Sequence, residues 1–428
     1  MTTNDTLRVT DSRTGRSYEL PIVDGAIRAI DLRQIKTSED DFGLLSYDPA
    51  FQNTASVRSA ITFIDGEKGI LRYRGYPIEE LAGRVPFLDV AALLINGELP
   101  GKEESAAWAD EITQHTFVHE NVKKFIDGFH HDAHPMGILV STIAALSTFY
   151  PGAKEISDTE RRHEQIVRLI AKMPTLAAFA YRHAAGLPYA YPDDELSYAG
   201  NFLSMMRRMT EPRYSPDPVL THALDVLFTL HADHEQNCST SAMRVVGSSR
   251  ADPYSAAAAA TAALYGPLHG GANEQVMRTL TEIRGAAPQD PVGAVEREVA
   301  RRLAAGEKIM GFGHRVYKTE DPRATHLRAM SGELAAASGD DTFYRMSRRM
   351  EETVLAQKGL LPNVDFYAAT VYHYLGIPTE EFTAVFSVSR MAGWTAHVME
   401  QHADNRLIRP DSEYIGERGL TWIPVGQR

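Results

Sequence analysis

The sequence is poor in cysteine and has no long apolar run. Its 428 residues include a single cysteine, Cys238, so no disulfide can form within the chain and a reducing compartment is expected. No stretch of about 18 apolar residues occurs, so no transmembrane helix is expected. The opening segment has no basic residues followed by an apolar stretch, which a secretory signal peptide needs. We therefore expect a cytoplasmic protein that has no membrane partner.

Basic charge is also scarce. Lysine and arginine number 44 against 56 aspartates and glutamates, which gives a formal net charge of −12. Nucleic acids are bound through a basic face, so we expect no nucleic-acid partner. A small anionic ligand is compatible with this charge, because it responds to a few local arginines and not to the total.

Strand signals are few and lie near the start of the chain. One hairpin is predicted in LRVTDSRTGRSYELPIV around its Thr-Gly pair, and a second in SAITFIDGEKGILRYRG around its Asp-Gly pair. From about Ile78 onward the apolar residues recur at helical spacing. One predicted helix opens with Asp217 and Pro218, which suit the N-cap and the first helical position. The pattern predicts a mainly α protein with a small β-rich N-terminal region.

The first segment that could carry chemistry is YGPLHGGANE, residues 265–274. Its His269 lies among glycines near the start of a predicted helix, whose positive end disfavours protonation of the imidazole. A neutral imidazole could donate a hydrogen bond to an oxyanion that develops during a reaction. The alternative is a capping loop whose glycines only provide left-handed backbone conformations.

The second segment, GFGHRVYKTEDPRATH, places His314 among glycines and cations. Gly311 and Gly313 would let the backbone approach a ligand closely. Lys318 and Arg323 can pair with a carboxylate or a phosphate. The segment is not GxGxxG and no clear strand precedes it, so a dinucleotide fingerprint is rejected. The alternative is a solvated basic turn.

The third segment, LPNVDFYAATVYHYLG, places Asp365 between two apolar residues. Partial desolvation should raise the pKa of Asp365 toward a range that is useful for a general base. The alternative is a helix cap or a partner of the helix dipole, which is the usual role of an aspartate near a helix start.

Arginines recur in FSVSRMAGWTAHVMEQHADNRLIRPDSEYIG. Arg390, Arg406 and Arg409 lie there among apolar, glycine or proline residues. In an acidic chain, such arginines are consistent with a site for a di- or tricarboxylate. For Arg390 alone, an ion-pair role within a helix is the alternative.

Two histidine clusters suggest a metal site as an alternative. Their members are His130, His131, Asp132 and His134 in FHHDAHPMG, and His231, Asp233, His234 and Glu235 in LHADHEQN. Neither cluster is HExxH, and no cysteine-based zinc spacing is present. We therefore expect no metal and interpret His234 as a hydrogen-bond donor to an anionic substrate.

Five motifs taken together resemble the citrate synthase family. They are LHADHEQNCSTS, YGPLHGGANE, MGFGHRVYKTEDPRA, NVDFY, and RMAGWTAH with the later IRP, in the family's order and at roughly its spacing. The stretch YDPAFQNTASVRSAITFIDGEKGILRYRGYPIEELA resembles the longer bacterial form, which has a β-rich N-terminal region. The resemblance covers essentially the whole chain. It implies a β-rich region over 1–45, a large helical domain made of 46–282 and 389–428, and a small helical domain over 283–388.

The resemblance implies catalytic roles for His269, His314 and Asp365. Asp365 would remove a methyl proton from acetyl-CoA while a neutral His269 hydrogen-bonds the thioester oxygen. His314 would polarise the ketone of oxaloacetate and protonate the alkoxide as the new carbon–carbon bond forms. Hydrolysis of citryl-CoA would follow.

The resemblance also implies substrate contacts. The positions that match the family's carboxylate-binding residues are His234, Arg323, Arg390 and Arg409, of which Arg409 would reach a neighbouring subunit's site. Phe386 matches an aromatic residue beside the acetyl group. Coenzyme A would be cradled by Gly311, Gly313, Lys318 and Asn363. No cofactor would be permanently bound, acetyl-CoA would be a co-substrate, and a homodimer would be the minimal unit of a hexamer.

Citrate synthase and 2-methylcitrate synthase share this machinery. Their acyl donors differ by one methylene, which an apolar pocket distinguishes by only about 1–3 kcal/mol, so short motifs hardly separate them. We expect citrate synthase, which catalyses the first step of the tricarboxylic acid cycle, because 2-methylcitrate enzymes usually lack the β-rich N-terminal region. Two functions of a different kind are a metallohydrolase built on the histidine clusters and a scaffold that only binds acyl-CoA.

Overall fold

The computed structural model describes residues 5–428. These residues form two compact units. The first contains the described residues up to Arg58 together with Arg409–Arg428, and the second is Ser59–Ile408. The division into a large and a small helical domain, with its boundaries at 45, 282 and 388, stays a prediction.

The first unit contains one β-hairpin. Strands β1 (Thr6–Asp11) and β2 (Arg16–Pro21) pair antiparallel, with Leu7 opposite Leu20. The connecting turn uses Gly15 at φ +71°, a left-handed conformation that glycine adopts without strain. The first predicted hairpin is therefore confirmed. The unit also contains short 3-10 turns at Ala29–Gln34, Pro49–Phe51 and Val425–Gln427.

The second unit opens with a three-stranded antiparallel sheet. Its strands β3 (Thr62–Asp65), β4 (Ile70–Tyr73) and β5 (Tyr76–Pro77) lie in the order β3-β4-β5. Asp65 pairs with Ile70, so the turn between β3 and β4 starts at the predicted Asp-Gly pair. The second predicted hairpin is confirmed.

Helices make up most of the second unit. In chain order they are α1 (Ile78–Leu81), α2 (Phe87–Asn96), α3 (Lys102–Thr113), α4 (Glu120–Ile126), α5 (Pro135–Leu146), α6 (Thr159–Ala184), α7 (Tyr198–Arg207), α8 (Pro218–His231), α9 (Cys238–Ser248), α10 (Pro253–Leu264), α11 (Ala272–Ala286), α12 (Pro291–Ala304), α13 (Pro322–Ser338), α14 (Thr342–Lys358), α15 (Val364–Tyr374) and α16 (Phe382–Ala403). The prediction of a mainly α fold with a small β portion is confirmed.

Aspartate followed by proline starts several of these helices. Asp217, Asp252 and Asp321 each precede a proline at the first helical position, and each carboxylate accepts a hydrogen bond from a backbone N–H of the first turn. Proline suits this position because it has no N–H to satisfy and its φ is already helical. The helix predicted to begin at Asp217 is therefore confirmed.

Helix α16 runs through the core of the second unit. Every residue from Phe382 to Val398 is buried, and the helix packs against α2, α6, α8 and α9. A helix that is buried all round must find partners for its polar side chains, because an unpaired polar group in the interior is costly. Two of those side chains, Arg390 and His397, are hydrogen-bonded to residues of the segment that precedes His234.

No helix among the described residues combines the length and apolar character needed to cross a bilayer.

Candidate active site

His269 is a buried imidazole with a defined tautomer. It lies in the loop between α10 and α11, where its Nε2 receives the backbone N–H of Ser239 at 3.3 Å and lies 2.8 Å from the Ser239 hydroxyl. A backbone N–H can only donate, so Nε2 carries no proton and a neutral ring holds its proton on Nδ1. Burial lowers the pKa of His269 to about 3, and the charge of Arg390 acts in the same direction. A lowered pKa agrees with the sequence prediction, and burial is its largest cause.

His314 has the opposite tautomer. Its Nδ1 accepts the backbone N–H groups of Val316 and Tyr317 at 3.0 Å and 3.1 Å. The neutral ring therefore carries its proton on Nε2. Burial lowers the pKa of His314 to about 4, with the charge of Arg323 as the next cause. The two imidazoles are thus both neutral near pH 7 and each presents one N–H donor.

His234 joins these groups into one cluster. Its ring lies 5.3 Å from that of His314, and its Nε2 lies 3.3 Å from the Tyr317 hydroxyl. Burial lowers the pKa of His234 well below its usual value. The charges of Arg323 and Arg390 act in the same direction. His234 and His314 are therefore neighbouring buried imidazoles.

Asp365 is a carboxyl group held in an apolar setting. Burial raises the pKa of Asp365 to about 7, even though Arg323 and Arg390 act to lower it. Its Oδ1 is buried and has no hydrogen-bond partner in the described part of the chain. The sequence prediction of a raised pKa is confirmed, and a pKa near neutrality suits a general base.

Asn363 connects the Asp365 segment to the His314 segment by hydrogen bonds. Its side-chain oxygen accepts the backbone N–H of Asp365 at 3.1 Å and caps α15. Its Nδ2 donates to the carbonyl of Gly313 at 3.0 Å, and its backbone N–H donates to the carbonyl of Gly311 at 2.9 Å. Asn363, and not Asp365, is therefore the cap of this helix.

Two buried arginines supply positive charge. Arg323 and Arg390 are each 2% exposed. Arg323 forms a two-pronged ion pair with Asp321, at 3.0 Å and 2.7 Å. Within residues 5–428, Arg390 has no carboxylate partner of this kind. Its Nε donates to the carbonyl of His231 at 2.6 Å, and its guanidinium lies 4.8 Å from the centre of the Phe386 ring. Two buried cations beside one paired aspartate form a setting that favours an anionic ligand.

Of the two glycines predicted to approach a ligand, Gly311 has a packing role. Gly311 has φ +85°, and a Cβ there would lie 2.8 Å from Val276 and 2.9 Å from Phe366. Gly313 has φ +76°, with nothing closer to such a Cβ than 3.7 Å. Lys318 is exposed and is fixed through its backbone N–H. A role of these residues in binding coenzyme A stays a prediction.

Arg409 belongs to the first unit. Its guanidinium pairs with Asp411, and its side chain is 75% exposed. The cluster described for the second unit therefore does not include it.

Three residues of this cluster had no role in the sequence prediction. Ser239 fixes the tautomer of His269, Tyr317 contacts His234, and Asp321 pairs with Arg323. The Asp-Pro-Arg order could have indicated Asp321, because a helix cap two residues before an arginine can also pair with it. Nothing in the sequence pattern marks Ser239 or Tyr317.

The histidine clusters do not converge on one metal site in the second unit. Among residues 5–428, the group of three potential ligands close enough to share an ion is the exposed set His130, His131 and Asp132. His134 instead caps α5 through its Nδ1. In the other cluster, Asp233 accepts hydrogen bonds from Thr62 and His397.

Comparison with known proteins identifies one family. The family model for the citrate synthase C-terminal domain matches residues 50–411. A citrate synthase from Dictyostelium discoideum is 45% identical over 441 aligned positions, which cover 99% of this chain and 84% of that protein. The chain belongs to the citrate synthase family.

Further citrate synthases resemble the chain along most of its length. A peroxisomal citrate synthase from Dictyostelium discoideum is 45% identical over 438 positions, covering 99% of this chain and 88% of that protein. The citrate synthase of Thermoplasma acidophilum, solved as a ternary complex with carboxymethyl coenzyme A and oxaloacetate, superimposes with a TM-score of 0.80 at 29% identity and covers 88% of this chain and 98% of that one. The predicted citrate synthase family, with its acyltransferase type of enzyme, is confirmed. These relatives favour citrate synthase over 2-methylcitrate synthase.

Proposed function

We propose that the chain condenses acetyl-CoA with oxaloacetate and releases citrate and free coenzyme A. The observation that carries this proposal is a buried carboxyl group with a pKa of about 7, at Asp365, on a segment that Asn363 joins by hydrogen bonds to that of His314. His269 and His314 add two neutral imidazoles of opposite tautomer. Membership of the citrate synthase family supports it, as does the solved Thermoplasma acidophilum relative, which holds oxaloacetate and a coenzyme A derivative.

Proton removal is the first step. The Asp365 carboxylate takes a proton from the methyl group of acetyl-CoA, and the electron pair moves onto the thioester oxygen. The Nδ1–H of His269 donates a hydrogen bond to that oxygen as it gains negative charge. A neutral donor suits this task because its proton stays in place while the enolate forms, and the low pKa of His269 keeps the ring neutral.

Carbon–carbon bond formation follows. The enolate carbon attacks the ketone carbon of oxaloacetate, while the Nε2–H of His314 hydrogen-bonds the ketone oxygen and then protonates the alkoxide. The product is citryl-CoA. Water then cleaves the thioester, which gives citrate and the free thiol of coenzyme A. The proton that Asp365 took passes back to His314, so both groups return to their starting states. The coenzyme is thus a co-substrate, and we propose no permanently bound cofactor.

The substrate carboxylates are assigned to three side chains of the second unit. Arg323, Arg390 and His234 are all buried, and burial makes each charged hydrogen bond stronger than it would be in water. Phe386, held under the Arg390 guanidinium, is proposed to lie beside the acetyl group. Gly311, Gly313, Lys318 and Asn363 are proposed to contact coenzyme A.

We propose a homodimer as the minimal unit, gathered into a hexamer, with Arg409 completing a neighbouring subunit's site. Large exposed apolar side chains in the first unit support this proposal: Ile415 is 92% exposed, Val425 80% and Trp422 75%. Apolar side chains this exposed commonly mark a surface that another chain covers. Sedimentation of the purified protein separates monomer, dimer and hexamer.

The proposal also covers a conformational change during the reaction and the cellular compartment of the enzyme. The helical segment over 283–388 closes over oxaloacetate before acetyl-CoA reacts, which excludes water and limits wasteful thioester hydrolysis. The reaction takes place in the cytoplasm as the first step of the tricarboxylic acid cycle. Fractionation of cells that express the chain tests this location against the peroxisomal site of one relative.

The decisive test is release of coenzyme A thiol with acetyl-CoA or propionyl-CoA, with and without oxaloacetate. We expect release that requires oxaloacetate, prefers acetyl-CoA and is lost in Asp365→Ala. Preference for propionyl-CoA would assign the chain to 2-methylcitrate synthesis. Release that is independent of oxaloacetate, or none at all, would contradict the proposal. Activity lost on adding a chelator would support the metallohydrolase alternative.

A further inference from the structure

One face of α16 is hydrogen-bonded to the turn that contains His234. Arg390, Gly393 and His397 are spaced three and four residues apart, so they share a face of the helix. Arg390 donates to the carbonyl of His231, and the backbone N–H of Gly393 donates to the carbonyl of Ala232 at 3.1 Å. Three consecutive turns of this face therefore meet the segment that precedes His234.

Gly393 lets α16 approach this segment closely. A Cβ at Gly393 would lie 2.4 Å from both the carbonyl oxygen of Ala232 and Oδ1 of Asp233. A side chain at this position would push the helix away. The close approach brings the next residue of the face, His397, to the Asp233 carboxylate.

Asp233 holds the turn through one carboxylate oxygen. Its Oδ2 accepts hydrogen bonds from the Thr62 hydroxyl at 2.6 Å, from His397 Nε2 at 3.1 Å and from the backbone N–H of Glu235 at 3.1 Å. The last of these closes an Asx-turn around His234, and Glu235 there has φ +52°, which is an uncommon conformation for glutamate. The side chains of Asp233 and His397 are fully buried.

His397 is fixed in one tautomer by a buried chain of polar groups. Its Nδ1 lies 2.9 Å from Nη2 of Arg244, and a guanidinium can only donate. Nδ1 therefore has no proton, and the neutral ring donates its Nε2–H to Asp233. Arg244 pairs in turn with Glu400, whose carboxylate accepts the backbone N–H of Ala60 at 2.9 Å.

The Asp233 carboxylate is stabilised in its charged form. Burial acts to raise the pKa of Asp233, but His397, Arg390 and Thr62 together lower it below its usual value. The carboxylate is therefore available as an acceptor throughout the range in which the enzyme would work.

We propose that Asp233 and His397 form a positioning dyad that sets the His234 turn for oxaloacetate binding. The dyad does not touch substrate. It holds the strained turn so that the His234 ring stays beside His314 and Arg323, where the substrate carboxylates and ketone would lie. Because it acts on the binding geometry and not on the proton-transferring groups, its loss should weaken oxaloacetate binding more than it slows chemistry. This inference rests on the proposed function.

The test compares three single variants in the oxaloacetate-dependent thiol-release assay. For His397→Ala we expect KM for oxaloacetate to rise about 10-fold or more, with kcat and KM for acetyl-CoA within about 3-fold of wild type. For His397→Gln we expect KM for oxaloacetate to return to within about 3-fold, because the amide nitrogen of glutamine can take the place of Nε2 as donor to Asp233. His402→Ala is the matched control, since His402 lies on the same helix and contacts the carbonyl of Gly247 instead.

Two further measurements keep the inference testable if His397→Ala does not fold. Thr62→Val removes one donor to Asp233 and should raise KM for oxaloacetate about 3-fold with little change in kcat. Isothermal titration of wild type and His397→Gln with oxaloacetate alone reports binding without turnover.

The inference is overturned if His397→Ala or Thr62→Val leaves KM for oxaloacetate unchanged. It is also overturned if kcat and KM change together in step with a loss of thermal stability, or if His397→Gln is as impaired as His397→Ala. Wild-type protein that neither binds oxaloacetate nor releases thiol would instead contradict the proposed function.

Discussion

Asp365→Asn should remove activity and at the same time stabilise the folded protein at alkaline pH. Burial raises the pKa of Asp365 from 3.8 to about 7. Each pKa unit corresponds to about 1.4 kcal/mol, so keeping this carboxylate ionised costs the folded state up to about 4 kcal/mol. Because the folded pKa is raised, this cost is absent below about pH 4 and complete above about pH 7. Asparagine has the same shape and does not carry the cost.

The expected result is a stability difference that grows with pH. Between pH 5 and pH 8 the advantage of Asp365→Asn over wild type in the free energy of unfolding should increase by about 2 to 3 kcal/mol. Denaturant unfolding at a fixed protein concentration measures it, with the exposed Asp194→Asn as a control for loss of one negative charge. Thiol release by Asp365→Asn should fall by about 100-fold or more, the usual contribution of a general base. A stability difference that is the same at both pH values, or activity near that of wild type, would refute the reasoning.

Three further substitutions test the framework of the site. Asp321→Asn leaves Arg323 buried without its carboxylate and should cost about 3–5 kcal/mol in thermal denaturation, while an unchanged melting temperature would contradict the pairing. Gly15→Ala, at positive φ with open space around it, should cost about 1–2 kcal/mol. Gly311→Ala carries the same backbone cost and in addition about 1–3 kcal/mol for the close contacts of its Cβ, so equal losses would exclude close packing as a cause. Asn363→Ala should lose about 1 kcal/mol of helix capping and lower kcat about 10-fold, and a kcat equal to that of wild type would show that the link to the His314 segment is dispensable.

Local chemistry made much of the fold predictable from sequence. The two hairpins follow from alternating residues around Thr-Gly and Asp-Gly pairs, and the start of α8 follows from Asp217 and Pro218. Each of these signals acts within a few residues, so no tertiary contact is needed to read it. The raised pKa of Asp365 was predictable for a similar reason, because its immediate neighbours are apolar.

Other features of the site depend on residues far apart in the chain. The tautomer of His269 is set by Ser239, and the ring of His234 lies beside that of His314. No local pattern connects these positions. The predicted direction of the His269 pKa is right, but the sequence does not reveal how deeply the ring is buried or that Arg390 acts on it.

The pH dependence of kcat/KM for acetyl-CoA, measured at saturating oxaloacetate, is the most direct test of Asp365 as a general base with a raised pKa. Only the ionised carboxylate can take the methyl proton, so kcat/KM should rise about tenfold per pH unit in the acid range and level off with an apparent pKa near 7. The profile of His402→Ala should match that of wild type. A profile that is already flat from about pH 5.5 upward would contradict this role, because it would mean that the base has the ordinary pKa of an exposed aspartate.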